Sequence, residues 1–149
     1  MHAGNGLMER IATHWRALLE ALEGIPEDAL VAPGAVGTWS VKDLLGHIAM
    51  WDAVSAARVR RLMAGQPARL PGEPHWQTRN QQEAARRAAW PLERVWSELH
   101  ETHAEVLATL QAAREAGVTV PVSVVKDCTY NHYAEHIADL LAYRQRIGR

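Results

Sequence analysis

The chain has 149 residues, of which 48% are apolar and 22% are charged, the proportions of an ordinary folded domain. Sixteen Lys and Arg residues against 17 Asp and Glu residues give a formal charge of −1, unlike the basic footprint of a nucleic-acid-binding protein. The single cysteine, Cys128, excludes an intrachain disulfide and fits a reducing compartment. We therefore expect one domain over residues 1–149 in the cytoplasm, with no signal peptide and no membrane span.

Helical periodicity indicates four amphipathic helices between Gly and Pro residues. The first covers about 7–23 and ends before Gly24. The second covers about 41–64, where Ser40 suits the N-cap and Asp43 lies near the positive end of the helix dipole. The Pro-containing stretch that follows predicts a long crossover loop to Trp76.

The third helical region is interrupted, with a polar piece over about 77–88 and an apolar face that Pro91 restarts and that continues to about 116. The β-branched stretch 118–125 has no partner strand, so we expect an extended connection there. The fourth helix covers about 129–147. Four such helices without a convincing β pattern predict an all-α four-helix bundle with one or more long crossover connections.

Two of the eight histidines, His132 and His136, are four residues apart in the last predicted helix. At this spacing the Cβ atoms lie roughly 5–6 Å apart on one helix face, so both imidazoles can reach one metal ion. His47 flanks the apolar stripe of the second helix, one turn after Leu44. If the two helices face each other, three imidazoles meet at the rim of the core. The alternative is that they are core-edge histidines satisfied by backbone or water.

Two stretches of the sequence resemble the DinB/YfiT-like superfamily. Residues 37–52, GTWSVKDLLGHIAMWD, are similar to its second-helix signature, and residues 129–140, TYNHYAEHIADL, are similar to its last helix. Asn80, which a long helix follows, also resembles the third segment of the family. The resemblance covers most of the chain, although only the two histidine stretches are specific.

This resemblance implies a four-helix bundle, frequently a homodimer, in which His47, His132 and His136 bind a divalent transition metal such as zinc or nickel. Characterised relatives include thiol S-transferases that use bacillithiol and mycothiol-dependent isomerases. A low-molecular-weight thiol is therefore a candidate co-substrate beside a small-molecule substrate.

Rival interpretations of the last helix are weaker. The spacing His132-x-x-Glu135-His136 also fits inverted zinc peptidases, but Asp139 is the only acidic residue after His136 and no downstream ligand is evident. We expect Glu135 to be a solvated carboxylate. Cys128 is four residues before His132, but it lies at or before the helix start, so we expect a small structural or exposed thiol.

Several other residues are candidates for the surroundings of the metal. Asp43 and Asp139 could each orient an imidazole, although helix capping and plain solvation explain them equally well. Tyr130 could line the cleft, and His103 could reach it from the third helix, although partial exposure is the favoured interpretation for His103. Three histidines show no constellation around them: His2, His14 and His75. The six tryptophans favour core or interface positions over a ligand platform.

The sequence thus predicts a divalent-metal-dependent enzyme, a thiol S-transferase or hydrolase that acts on a small electrophilic molecule. No nucleic-acid or membrane partner is expected. The alternative is a non-catalytic helical module that binds a metal or a ligand. Only three good ligands are evident, which favours a site with open coordination positions.

Overall fold

The computed structural model describes residues 3–149, with side chains described from Gly6 onward. Seven helices form in this range: α1 Ala3–Leu22, α2 Glu27–Val31, α3 Val41–Met63, α4 Trp76–Arg87, α5 Leu92–Glu115, α6 Val122–Val125 and α7 Tyr130–Ile147. Within residues 3–149 the only β pairing is an isolated bridge between Val36 and Trp39. The predicted all-α class is confirmed, and the long helices lie close to their predicted bounds.

Two short helices were not predicted from the sequence. The stretch 118–125 was expected to be extended throughout, which is wrong for its second half, where α6 forms a single turn after Pro121. Pro121 is the N-cap residue of α6 and has an extended backbone, and Val125 is fully buried. Burial of an apolar side chain in the core outweighs the weak preference of valine for strands. In the same way, α2 follows Pro26 and buries Leu30.

The start of α3 is fixed by a capping box. The Ser40 hydroxyl accepts a hydrogen bond from the Asp43 backbone N–H at 3.0 Å, and the Asp43 carboxylate accepts one from the Ser40 N–H at 3.0 Å. Two backbone donors that a helix start leaves unpaired are thereby satisfied. This box sets the helical register that carries His47 one turn later.

The helices α1 and α7 run parallel to each other. Near the start of both helices, Arg10 donates a hydrogen bond to the Tyr130 hydroxyl at 3.3 Å. Near the end of both helices, Arg144 donates to the Ala21 carbonyl at 3.1 Å. Hydrogen bonds thus join α1 to α7 near the start and near the end of both helices.

The helices α3 and α5 are also parallel, since Lys42 at the start of α3 donates to the Trp90 carbonyl just before α5 at 2.8 Å, while Arg60 pairs with Glu105 further along both helices. Two parallel consecutive long helices need a connection that returns along the bundle. The segment 64–91, which contains α4, makes that return. The predicted long crossover connection is therefore confirmed.

The core lies between these four long helices. Its largest fully buried side chains are Tyr133, Ile11, Leu18, Leu44, Leu45, Ile48, Leu99 and Leu140. Across the described part of the chain, no helix has the length and apolarity that a membrane crossing requires. The contacts of α3 with α7 place the N-terminal halves of the two histidine-bearing segments next to each other.

Candidate metal centre

The three histidines of the predicted site meet in the structure. The Nε2 atom of His132 lies 2.9 Å from the Nε2 atom of His47 and 2.9 Å from the Nε2 atom of His136. All three potential ligand atoms lie within 4.8 Å of one another. Two nitrogens bound to one ion at ~2.0–2.1 Å cannot be further apart than ~4.2 Å. The two separations that involve His132 satisfy this limit.

Helix geometry explains how the side chains reach this point. His132 and His136 follow one another by one turn on α7, and their rings are 4.5 Å apart. His47 reaches them from α3, with its ring 4.8 Å from the ring of His132. The Trp39 ring packs 4.9 Å from the His47 ring on the side of the preceding loop. One imidazole from α3 and two from α7 thus meet between the two helices.

Burial keeps two of these imidazoles neutral. It lowers the pKa of His132 to about 2, with smaller contributions from the charges of His136 and His47. Burial lowers the pKa of His47 to about 3, and the charge of His136 adds to the effect. A neutral imidazole has the free lone pair that a metal ligand needs, so both rings are ready to bind a cation at neutral pH.

The third imidazole is oriented by a carboxylate. The Nδ1 atom of His136 lies 2.9 Å from Oδ2 of Asp139, one turn further along α7. A hydrogen bond donated from Nδ1 to this carboxylate leaves the Nε2 lone pair directed at the cluster. Asp43 and Asp139 were both candidates to orient an imidazole, and Asp139 is the one that lies beside a histidine of the cluster. The carboxylate of Asp43 instead caps α3, where it accepts a hydrogen bond from the Ser40 N–H.

The histidine cluster fits a divalent transition metal. A single nitrogen of His132 faces both partners, but it has either one hydrogen or one lone pair, so it can form a good hydrogen bond with only one of them. One cation accepts the lone pairs of all three rings, and imidazole nitrogen suits zinc, copper, iron and nickel. The buried Nδ1 atoms of His47 and His132 have no hydrogen-bond partner among the described residues. The Nε2 atoms are the nitrogens that converge, so the three rings offer Nε2 as their ligand atom.

A cleft of about 570 Å³ opens onto the three histidines. Besides the histidines, its lining includes Trp39, Trp51, Trp76, Arg58 and Cys128. Three of the six tryptophans thus line a cavity, where the sequence favoured core or interface positions. Their positions come from three separate segments, and no local pattern of the sequence indicates that these segments converge.

The remaining predicted neighbours lie elsewhere. Tyr130 is buried beside Arg10 and His14, away from the cleft lining. His103 is buried, not partly exposed, and stacks on Trp15 with ring centres 3.9 Å apart. His2 lies outside the described residues.

Cys128 and Glu135 both lie along the cleft. Cys128 is buried, and its sulfur accepts a hydrogen bond from Arg58 Nη1 at 3.6 Å. Burial raises the pKa of the Cys128 thiol, so the thiol form is favoured. Glu135 is exposed, as the sequence predicts. Neither residue belongs to the ligand cluster among the described residues.

Sequence reasoning missed a buried polar chain behind the histidines. The Tyr133 hydroxyl donates to Oδ2 of Asp52 at 2.7 Å, and Nδ1 of His103 lies 3.2 Å from the same hydroxyl. Asp52 is fully buried, and this burial raises the pKa of its carboxyl well above the usual value. The chain links α3, α7 and α5 next to His132. An acidic residue on the apolar face of α3 was the signal in the sequence.

The comparisons with known proteins agree with this architecture. The family model of the DinB superfamily matches residues 10–143, a span that contains all three histidines. No curated protein and no solved structure matches the chain. The family match covers most of the chain, and the structure shows the all-α fold and the three-histidine cluster that the resemblance implied. The chain therefore belongs to the DinB superfamily.

Proposed function

We propose that this protein is a divalent-metal-dependent enzyme that transfers a low-molecular-weight thiol to a small electrophilic molecule. The observation that supports it best is the convergence of three imidazole nitrogens from His47, His132 and His136 at one wall of an open cleft. Three protein ligands leave coordination positions for reactants, as in catalytic rather than structural metal sites. Zinc and nickel are the ions we propose.

A divalent ion bound there supplies Lewis acidity, which lowers the pKa of a nearby thiol or water and polarises an electrophile. His47, His132 and His136 would hold this ion: burial keeps His47 and His132 neutral, and Asp139 orients the imidazole of His136. In the transfer, the thiol sulfur forms a bond to carbon and releases its proton to solvent. The leaving group departs with the electrons of the broken bond.

Metal analysis of purified variants tests the metal site. We expect the wild-type protein to bind about one equivalent of zinc or nickel and His132→Ala to bind none, because two imidazoles without the central one hold a cation poorly. Asp139→Asn should weaken metal affinity by roughly 10–100-fold, since the imidazole of His136 loses its orienting acceptor.

His14→Ala is the matched control, because His14 lies on α1 outside the cleft lining and its Nδ1 lies 2.9 Å from the Arg10 carbonyl of the same helix. Its metal content should equal that of the wild type, and circular dichroism should show the same helical content in every variant. Full occupancy in His132→Ala would refute the site.

A thiol panel then tests the reaction. The metal-loaded protein is incubated with bacillithiol, mycothiol, glutathione or cysteine and the electrophile monobromobimane, and the conjugate is measured with and without a chelator. We expect at least one thiol to be conjugated faster than in the protein-free reaction, and the chelator to return its rate to the protein-free value. Metal binding without acceleration for any thiol would contradict the transferase. In that case, metal-dependent cleavage of an ester would indicate a hydrolase, and its absence a binding module. A homodimer stays a prediction of the family resemblance, and a cytoplasmic location stays a prediction from the cysteine usage.

A further inference from the structure

The cleft above the histidines has an aromatic wall, which we define as Trp39, Trp51 and Trp76. The ring of Trp39 lies 4.9 Å from the ring of His47, at the metal end. Trp51 is half-buried in the middle of α3. Trp76 begins α4 and is 55% exposed, at the opening of the cleft. Indole rings thus line the cleft both at the ligand cluster and at a solvent-exposed position.

The polar atom of Trp51 is already satisfied within the protein. Its Nε1–H donates to Oδ1 of Asn80 at 2.8 Å, and the guanidinium of Arg79 lies 5.7 Å from its ring centre. These contacts from α4 fix the indole on α3 before any ligand arrives. A wall that is ordered in advance loses little side-chain freedom on binding. What Trp51 offers a ligand is therefore ring surface.

The charges around the cleft disfavour an anionic ligand beside this wall. Arg58, the cationic side chain in the lining, pairs with Glu73 and also contacts Cys128. Arg79, which lies over the Trp51 ring, shares the same Glu73 carboxylate at 3.7 Å. The other charged lining residues are Asp127 and Glu135, both acidic and exposed. A carboxylate or phosphate placed against the indoles would find no unpaired cation in the lining. An uncharged body meets no such penalty.

We infer that the substrate is an uncharged molecule with a flat aromatic body, which stacks on the aromatic wall and presents its reactive end to the three histidines. The role as substrate rests on the proposed function, whereas the binding preference rests on the wall alone. A cleft of about 570 Å³ accommodates one or two fused rings with a short substituent. Trp76 is then a specificity-determining residue, since it covers the outer part of the body.

Two metal-binding probes separate the wall from the metal. Calorimetric titration of the zinc-loaded protein with acetohydroxamate measures binding to the ion alone, and benzohydroxamate adds one aromatic ring. We expect benzohydroxamate to bind roughly tenfold tighter or more, because ring burial and ring–ring contact both contribute. Trp76→Ala should reduce this preference roughly fivefold or more and leave acetohydroxamate unchanged.

Leu141→Ala is the matched control, because Leu141 is 54% exposed on α7 and lies outside the cleft lining. It should leave both affinities unchanged. Equal binding of the two hydroxamates, or a ring preference that survives Trp76→Ala, would overturn the inference and leave the metal site intact.

A probe without a metal-binding group tests the ligand preference of the aromatic wall in the absence of metal. We expect the chelated protein to bind neutral 2-naphthol and to discriminate against anionic 2-naphthoate, and Trp76→Ala to weaken 2-naphthol binding. Failure of both hydroxamates with retained 2-naphthol binding would count against the metal-dependent function and support the aromatic wall. Absence of 2-naphthol binding, or preference for 2-naphthoate, would overturn the inference.

Discussion

Burial acts on individual imidazoles in two ways in this protein. At His47 and His132 it lowers the pKa and keeps the rings neutral, which suits them as ligands. Burial also lowers the pKa of His103. This ring is not part of the metal cluster, because it stacks on Trp15 and faces the Tyr133 hydroxyl. Neutral buried histidines are thus shared between the candidate metal centre and the polar chain behind it.

The pH dependence of stability tests the burial of His103. Burial, with a smaller contribution from the charge of His100, lowers its pKa from 6.5 to about 4. Between these values the unfolded chain binds more protons, so the stability that neutral His103 provides is fully present above pH 6.5 and is lost as the pH falls to 4. The free energy of unfolding of the chelated wild type should fall by up to about 3 kcal/mol relative to His103→Gln.

Urea unfolding of both proteins from pH 8 to pH 4 measures this difference. Above pH 7 the gap between the two curves should be constant, which provides the baseline. Parallel curves down to pH 4 would contradict a histidine that is held neutral by burial.

At the scale of elements, one glycine sets the approach of α4 to α3. A Cβ atom at Gly46 would lie 2.8 Å from Cδ of Arg87, closer than real Cβ contacts come. The Arg87 side chain cannot simply swing away, because Glu83 holds its Nη1 at 2.6 Å and Glu98 holds its Nε at 2.7 Å. The arginine thus joins α4 and α5 across the surface of α3, beside His47.

Gly46→Ala should therefore destabilise the protein by roughly 1–3 kcal/mol in urea unfolding, because the added methyl group displaces an ion-paired side chain. In an Arg87→Ala background the clash is absent, and the same change should stabilise α3 by roughly 0.5–1 kcal/mol through the better helix propensity of alanine. The effect of Gly46→Ala on the free energy of unfolding should therefore have opposite signs in the two backgrounds. The same effect in both would contradict the close contact between Gly46 and Arg87.

At the scale of the whole molecule, the three-histidine cluster joins α3 to α7, while the apolar core extends through all four long helices. A chain of 149 residues buries enough apolar surface to fold without a metal. A bound ion therefore adds stability to a fold that exists without it, in contrast to small zinc-dependent domains that unfold on chelation.

Metal removal tests whether the fold is stable without the ion. With zinc at about 100 times its Kd, the free energy of unfolding should rise by about 2.7 kcal/mol, which corresponds to about 5–11 °C in Tm for a domain of this size. Chelator should abolish this increase without loss of helical circular dichroism, and zinc should leave the Tm of His132→Ala unchanged. A chelated protein without helical signal would contradict a core that is independent of the metal.

The local features of this protein were predictable from neighbouring residues. Helix periods, the Ser40 cap and the one-turn spacing of His132 and His136 depend on residues within about one turn of each other, so the linear sequence determines them. The short helix α6 escaped prediction because its formation depends on the burial of Val125 against distant parts of the chain.

Only the tertiary structure decided which distant groups meet. The family resemblance indicated His47 as the third ligand, but its 2.9 Å approach to His132 depends on how α3 packs against α7. The same packing brings Asp52 to Tyr133, and the return of α4 along the bundle brings Trp76 to the cleft. Helix packing depends on side chains from several elements at once, so no single segment of the sequence contains this information.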